Sequence, residues 1–285
     1  MSPLTHSELH GHRFTVIGAS GFVGSSLAQV LQDRGAHVWL PGRQESWPRC
    51  EALGHVIYCA GLTADYLARP FDTVQAHVSH LAQVLQSTGW DSLVYLSSTR
   101  LYDSSSAAVA HEDAQLLLNP ANPRHLYDLS KALGESLCHV AGQGKARVAR
   151  LACVYDSPLD EDGFLPLLVR SAMAAKQTGQ IRLEIESSPH FTRDYVHLPD
   201  VVEALIRIAL HGRQASYNVA SGVNVPNAEL FDYVERRWGC RINPLSQARP
   251  PAVAQVDTGR LREELEWRPS PVFEVMARWP GALAC

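Results

Sequence analysis

Short apolar runs rich in β-branched residues alternate with stretches of helical periodicity along the first half of the chain. FTVIGA (14–19) is a β-rich run that passes into glycine. FVGSSLAQVLQDRG (22–35) follows, with apolar residues at 23, 27, 30 and 31, a helical spacing closed by Gly35 as a C-cap. AHVWL (36–40) and GHVIYCAG (54–61) read as two further strands. Strand, helix and strand in that order predict a right-handed parallel crossover. A helix is predicted over 71–89, where Val74, Val78, Leu81, Val84 and Leu85 share one face. A fourth strand over 92–98, a helix over 126–142 and a fifth strand over 146–155 complete the pattern. Such alternation predicts an α/β fold with a doubly wound parallel sheet.

Beyond Tyr155 the texture changes. Pro158, Gly163, Pro166, Pro189, Pro199 and Pro226 divide the chain into short pieces. The division predicts an α/β domain over 13–155, to which the glycine loop described below adds dinucleotide binding, and a smaller, loop-rich lobe over 156–285, interleaved with the end of the sheet. SSSAAVA (104–110) reads as a loop. The chain carries no internal repeat or low-complexity tract.

Composition narrows the functional classes. The 285 residues are 46% hydrophobic and 19% charged, an ordinary globular balance with enough length for a sizeable core. A net charge of −4 gives nucleic-acid binding no electrostatic support. Six scattered cysteines form no C-x-x-C pair and no metal-ligand spacing with the thirteen histidines. Reduced thiols and no metal site are the expectation. The polar start, MSPLTHSELHGHR, has no apolar core, and no apolar run approaches a bilayer span. A cytoplasmic location without a membrane partner follows as an expectation.

Three motifs carry candidate chemistry. GASGFVG sets Gly18, Gly21 and Gly24 directly between a strand and a helix, where backbone can approach a pyrophosphate at the helix N-terminus. Glycines needed only for packing a tight turn would read the same way. YLSSTRLY (95–102) puts Ser97, Ser98 and Thr99 at the carboxyl end of the fourth strand, where open α/β sheets bind ligands. LYDLSK (126–131) places Tyr127 four residues before Lys131 on one helix face. That spacing alone also fits two solvated positions.

Taken in order, these motifs resemble the extended short-chain dehydrogenase/reductases, and more closely the NAD-dependent epimerase/dehydratase branch that acts on nucleotide sugars. RLACVYDSP (150–158) is similar to that branch's R-x-x-N-V-Y-G-P, and RDYVHLPDVVEAL (193–205) to its R-D-[FY]-[IV]-H segment. YNVASGVNVPNAEL (217–230) and DTGRLREELEWRP (257–269) resemble its closing elements, so the likeness spans roughly residues 13–270. It implies a Rossmann-type sheet with a C-terminal substrate-binding lobe. It also implies a catalytic set of Ser98, Tyr127 and Lys131. A free tyrosine, with a pKa of about 10, is a poor base at neutral pH. A nearby ammonium and a positively charged nicotinamide ring favour its phenolate. By the same resemblance Ser98 hydrogen-bonds the substrate oxygen, with Thr99 as its neighbour, and Lys131 holds the nicotinamide ribose. Gly18, Ser20, Gly21, Phe22, Val23, Gly24, Ala60 and Gly61 would line the cofactor. Homodimers, common in the family, are expected by analogy.

Departures from the family pattern shape the remaining expectations. The second strand ends WLPGR, with Pro41 where NAD-preferring members carry an acid. Arg43 follows and suits the 2′-phosphate of NADP, so of NAD and NADP the sequence favours NADP. Only about fifteen residues separate WLPGR from HVIYCAG, too few for the usual helix and third strand, so that edge strand is predicted to be missing. His77 stands where many members have asparagine and is expected to be structural rather than an acid/base group. Cys153 replaces the asparagine that often contacts the sugar nucleotide. Arg193 and Arg249 match positions that commonly hold a diphosphate, and surface ion pairing would equally explain them. Thr63, Asp65 and Tyr66 fall at the site mouth as substrate selectors. Thr99 and Arg100 stand where dehydratases often carry D-E, which disfavours dehydration. The expected enzyme is an NAD(P)-dependent epimerase or oxidoreductase acting on a hydroxyl-bearing carbon of a nucleotide sugar. The alternatives are an NADP-dependent reductase of another carbonyl substrate and a non-catalytic dinucleotide-binding sensor.

Overall fold

The five strands read from the apolar pattern all enter one parallel sheet. The computed structural model describes residues 4–42, 52–87 and 89–281. The chain begins α1 (His6–Leu9), β1 (Arg13–Ile17), α2 (Phe22–Asp33), β2 (His37–Trp39) and β3 (Gly54–Tyr58). A helical segment follows as α3 (Pro70–Val74), a π-turn (Gln75–Ser79) and α4 (His80–Gln86). Then come β4 (Trp90–Ser98), a 3-10 turn (Thr99–Tyr102), β5 (Val109–Ala110), α5 (Leu126–Ala141), β6 (Ala146–Leu151) and β7 (Cys153–Tyr155). The rest runs α6 (Phe164–Thr178), β8 (Arg182–Ile185), β9 (Thr192–His197), α7 (Leu198–His211) and β10 (Ser216–Val219). It closes with β11 (Asn224–Pro226), α8 (Asn227–Trp238), β12 (Arg241–Pro244), β13 (Gln255–Val256), α9 (Gly259–Glu264) and α10 (Val272–Ala277).

The main sheet has six strands in the order β10-β6-β4-β3-β1-β2, every neighbouring pair parallel. Strand order reverses between β1 and β3, the place where open α/β sheets leave a crevice beyond their carboxyl ends. Both faces of the sheet are covered, so central strands bury successive residues on opposite sides. Val94 and Leu96 join α2 and α7 in one core, while Leu93 and Tyr95 join Leu81, Val84 and Cys138 in another. A third core, from Tyr155 to Trp279, gathers α6, α8 and α10 in the C-terminal part.

Among the described residues β2 pairs with no strand on its outer side, in keeping with a missing edge strand. Residues 43–51, over which most of that shortening falls, lie outside the described residues, and Arg43 with them. Two expectations are corrected. The strand predicted over 146–155 breaks at Ala152: β6 stays in the main sheet, and β7 leaves to pair with β9. The C-terminal part is also far less loop-rich than its prolines imply, because α6, α7 and α8 hold 15, 14 and 12 residues. Pro199 occupies the first turn of α7 and Pro226 the N-cap of α8, where no backbone N–H is needed. Pro166 lies one turn into α6, behind Gly163 at its N-cap.

Among the described residues no helix is long and apolar enough to cross a membrane. Cys59, Cys138, Cys153 and Cys240 are free thiols, and no described cluster of His, Cys, Asp and Glu could hold a metal ion.

Candidate active site

The glycine loop follows β1 and opens α2 at the reversal point of the sheet. Gly18 has φ +83°, and a Cβ there would stand 2.6 Å from the backbone nitrogen of Ala60. A Cβ on Gly24 would overlap the Gly18 carbonyl oxygen. Both glycines are therefore demanded by contact between the loop and its surroundings. Gly21 differs: its added Cβ would meet nothing closer than the Gly18 oxygen at 3.4 Å, an ordinary contact. No packing within the chain requires glycine at this exposed position. A ligand backing directly onto the main chain would require it. Gly21 is also the N-cap of α2 and offers no side-chain cap, so the first N–H groups of that helix remain unclaimed by a side chain. Ser20 and Phe22 are exposed beside it, Val23 is half-buried, and Ala60 and Gly61 follow β3 across the crevice. This cradle suits a pyrophosphate.

Ser98, Tyr127 and Lys131 converge beyond the carboxyl end of β4. Ser97 turns inward and is buried, so strand alternation sends half-buried Ser98 toward the crevice. The Ser98 hydroxyl accepts the Arg100 N–H at 3.2 Å, capping the 3-10 turn, and stands close enough to the Tyr127 phenol to act on its pKa. Helix α5 lies close enough to β4 to present Lys131 because Gly134 faces Tyr95, whose hydroxyl would overlap any Cβ there. Lys131 Nζ donates to the Leu96 carbonyl oxygen at 2.8 Å and lies 6.0 Å from the centroid of the Tyr127 ring.

Both groups are buried, with opposite consequences for their charge. Burial raises the Tyr127 pKa, while Ser98 and the charge of Arg100 act in the lowering direction. The phenol is a proton donor at neutral pH. Burial draws the Lys131 ammonium down to about 7, against the opposing pull of Cys59 and Glu135. An unfolded lysine keeps its proton to a pKa of about 10.4. Between the two values the unfolded chain binds more protons, so this group's contribution to stability improves as pH rises. Replacing Lys131 by Met will stabilise the protein against urea, by on the order of a few kcal/mol at pH 6 and by less at pH 9. A variant no more stable than the wild type at the lower pH would show that the buried charge carries no such penalty.

His77 stands in a hydrogen-bond chain that ties the β3 loop to α5. Its Nε2 accepts the Leu62 N–H at 3.1 Å, so its Nδ1 carries the proton and donates to Ser130 Oγ at 2.8 Å. Ser130 Oγ in turn donates to the Tyr127 carbonyl at 2.8 Å. Burial, with Lys131 adding to it, pulls the imidazole down to about 2. His77 is thus a neutral strut between the β3 loop and the start of α5. The π-turn that carries it is stabilised from the sheet: Tyr58 donates to the Ala76 carbonyl at 2.6 Å and Tyr95 to that of His77 at 3.2 Å.

Several motif residues are architectural. Arg150 of RLACVYDSP donates in bidentate fashion to Glu135, at 2.9 and 2.7 Å, and also to the Tyr102 hydroxyl. Tyr102 passes its own proton to Asn218 Oδ1 at 2.8 Å, joining β10 to the turn after β4. The Asp194 carboxylate accepts the N–H groups of Ser221 and Gly222, both at 2.7 Å, and Asp200 accepts the Ser270 N–H. The RDYVHLPD and YNVASG segments therefore hold one another in place.

The substrate-side expectations fare unevenly. Arg193 stacks on Phe191, with its guanidinium carbon 4.2 Å from the ring centroid, and sits 3.7 Å from Asp103. Asp103 directly follows the 3-10 turn that contains half-buried Thr99. Cys153 is exposed and lies within the electrostatic reach of Arg193 and Arg100. Thr63 is exposed on the loop after β3, and Arg249 on the segment before β13. Tyr66 is buried against Tyr127, ring centroids 5.6 Å apart. Sequence reasoning missed Arg100 and Asp128 as site residues. The available signal was a charged residue two places after the strand-end serine.

A model of the NAD dependent epimerase/dehydratase family matches residues 14–83 and 51–220. A dTDP-4-dehydro-6-deoxy-D-allose reductase of Streptomyces bikiniensis is 26% identical, with 97% of this chain and 98% of that protein aligned. The GDP-6-deoxy-D-mannose reductase of Pseudomonas aeruginosa is 28% identical over 77% of this chain and 78% of its own. Among solved structures, RMD from Pseudomonas aeruginosa complexed with NADPH superposes with a TM-score of 0.74 at 25% identity, covering 92% of this chain and 96% of that one. The UDP-glucose 4-epimerase of Thermotoga maritima, at 18% identity and a TM-score of 0.73 over 93% and 96% of the two chains, shares the fold. The matched span takes in the glycine loop, the strand-end hydroxyls and the Tyr127–Lys131 helix, and on it the chain belongs to the NAD dependent epimerase/dehydratase family of enzymes.

Proposed function

We propose that this protein is an NADP-dependent reductase of a ketone on a nucleotide-linked sugar. The observation that carries the reading is the meeting of Ser98, Tyr127 and Lys131 beside a helix N-terminus whose Gly21 is bare for no internal reason. The bound nicotinamide cofactor supplies the hydride to the carbonyl carbon. Tyr127 delivers its phenolic proton to the carbonyl oxygen, and Ser98 orients that oxygen by hydrogen bonding. Lys131 is placed to hold the nicotinamide ribose, and burial of Tyr127 and Lys131 keeps competing water away. Arg193, with Thr99 nearby and Arg249 on its outer loop, is assigned to the substrate side, where a guanidinium fork suits a diphosphate.

The choice of reduction is supported by two relatives that are nucleotide-sugar reductases by name and align over 97% and 77% of the chain, although a UDP-glucose 4-epimerase also aligns over 90% of it. The choice of NADP is supported by Pro41 in place of a carboxylate after β2 and by the NADPH complex of the structural neighbour. Mass analysis of nucleotide released from the freshly purified, denatured protein tests both. An empty protein that binds NADPH at least about tenfold more tightly than NADH is the expected result. Stoichiometric retained NAD would instead mark an epimerase that returns its hydride, and would sink this reading.

A further inference from the structure

Arg100 occupies a place in the site that the reaction above leaves unused. Its guanidinium carbon lies 4.6 Å from the centroid of the Tyr127 ring and 5.3 Å from that of Tyr66, so it stacks on both. Its polar contacts are long. Nε stands 3.5 Å from Asp128 Oδ1, and Nη2 stands 3.5 Å from the Tyr66 hydroxyl. Asp128 Oδ1 makes no hydrogen bond, although that side chain is 9% exposed against 32% for Arg100. A buried carboxylate oxygen that makes no hydrogen bond has a tether role more than a clamp role: it keeps the guanidinium near the ring without consuming its donors.

We propose that Arg100 is a positioning residue for Tyr127, a permanent cation stacked on the phenol and tethered by Asp128 that stabilises negative charge on the phenolic oxygen. The inference rests on the assignment of Tyr127 as proton donor. The other groups facing Tyr127 leave this task open. Lys131 Nζ stands 6.0 Å from the Tyr127 ring centroid, farther than Arg100, and is taken up by the Leu96 carbonyl, with burial acting to lower its pKa. His77 is neutral throughout the working range. Asp128 and Cys153 act to disfavour the phenolate, and burial raises the pKa of Tyr95 so that it brings no charge to help it. Burial works against the Arg100 charge, but Tyr66 and Asp128 more than offset this and its pKa rises. Arg100 thus keeps its proton at every pH at which the enzyme works.

The test is an NMR titration of isotope-labelled tyrosine in the complex with oxidised cofactor, the Tyr127 signal being the one lost in Tyr127→Phe. In Arg100→Gln the Tyr127 titration will move up by at least about one pH unit, the order expected on removing a unit charge stacked on the ring in a partly solvated site. Arg100→Lys will keep it near the wild-type value, since the charge is retained. A merely structural role predicts the opposite sign, because opening the site would hydrate the phenolate and lower the titration. An unchanged or lowered value in Arg100→Gln therefore overturns the proposal. If neither NAD nor NADP binds, the assigned function fails, while the same titration in the free protein still reads the effect of Arg100.

Discussion

Tyr127→Phe will lower turnover of the keto-sugar substrate by roughly a thousandfold while leaving cofactor affinity within about twofold, because a positioned general acid contributes about 100- to 10,000-fold. Phenylalanine keeps the ring, so the stacking with Tyr66, Arg100 and His77 survives. Only the phenolic oxygen is lost. The cofactor cradle and Lys131 are untouched. Steady-state kinetics and fluorescence titration with NADPH measure the two effects separately. Near wild-type turnover in this variant would remove Tyr127 from the mechanism. A protein that binds cofactor and never turns over any keto sugar, with or without the phenol, would be a dinucleotide sensor.

The second large effect falls on stability. Glu135→Leu leaves the Arg150 guanidinium, whose side chain is 5% exposed, without its bidentate carboxylate. Arginine does not shed its proton to escape burial, and breaking such a pair from one side costs about 3–5 kcal/mol. The urea midpoint will fall accordingly with the slope unchanged. Glu135→Gln, which keeps an acceptor, will lose less. A loss below about 1 kcal/mol in the leucine variant would show that the Tyr102 hydroxyl and the Glu112 carbonyl, the other acceptors of Arg150, suffice.

The parallel sheet was legible because β-branched runs such as FTVI and SLVYL are local signals, with both faces buried by helices whose apolar stripes are equally local. The glycine loop was legible for the same reason: three glycines between a strand and a helix need no distant partner to be recognised. Prolines misled over 156–285 because a proline at a helix start and one in a loop look identical until the partners of the next four N–H groups are known. The break at Ala152 was hidden because β6 and β7 are continuous in sequence and differ only in which strand lies beside them.

Local sequence therefore specified which atoms could do chemistry: a phenol and an ammonium one helical turn apart, hydroxyls at a strand end and a bare backbone for phosphate. What it could not specify was the charge those atoms carry. The lowered Lys131, the neutral His77 and the cation over Tyr127 depend on pairs such as His77 with Lys131 and Arg100 with Tyr127, far apart in the chain and brought together by the sheet. Desolvation and electrostatic coupling act through space, over distances that only packing creates.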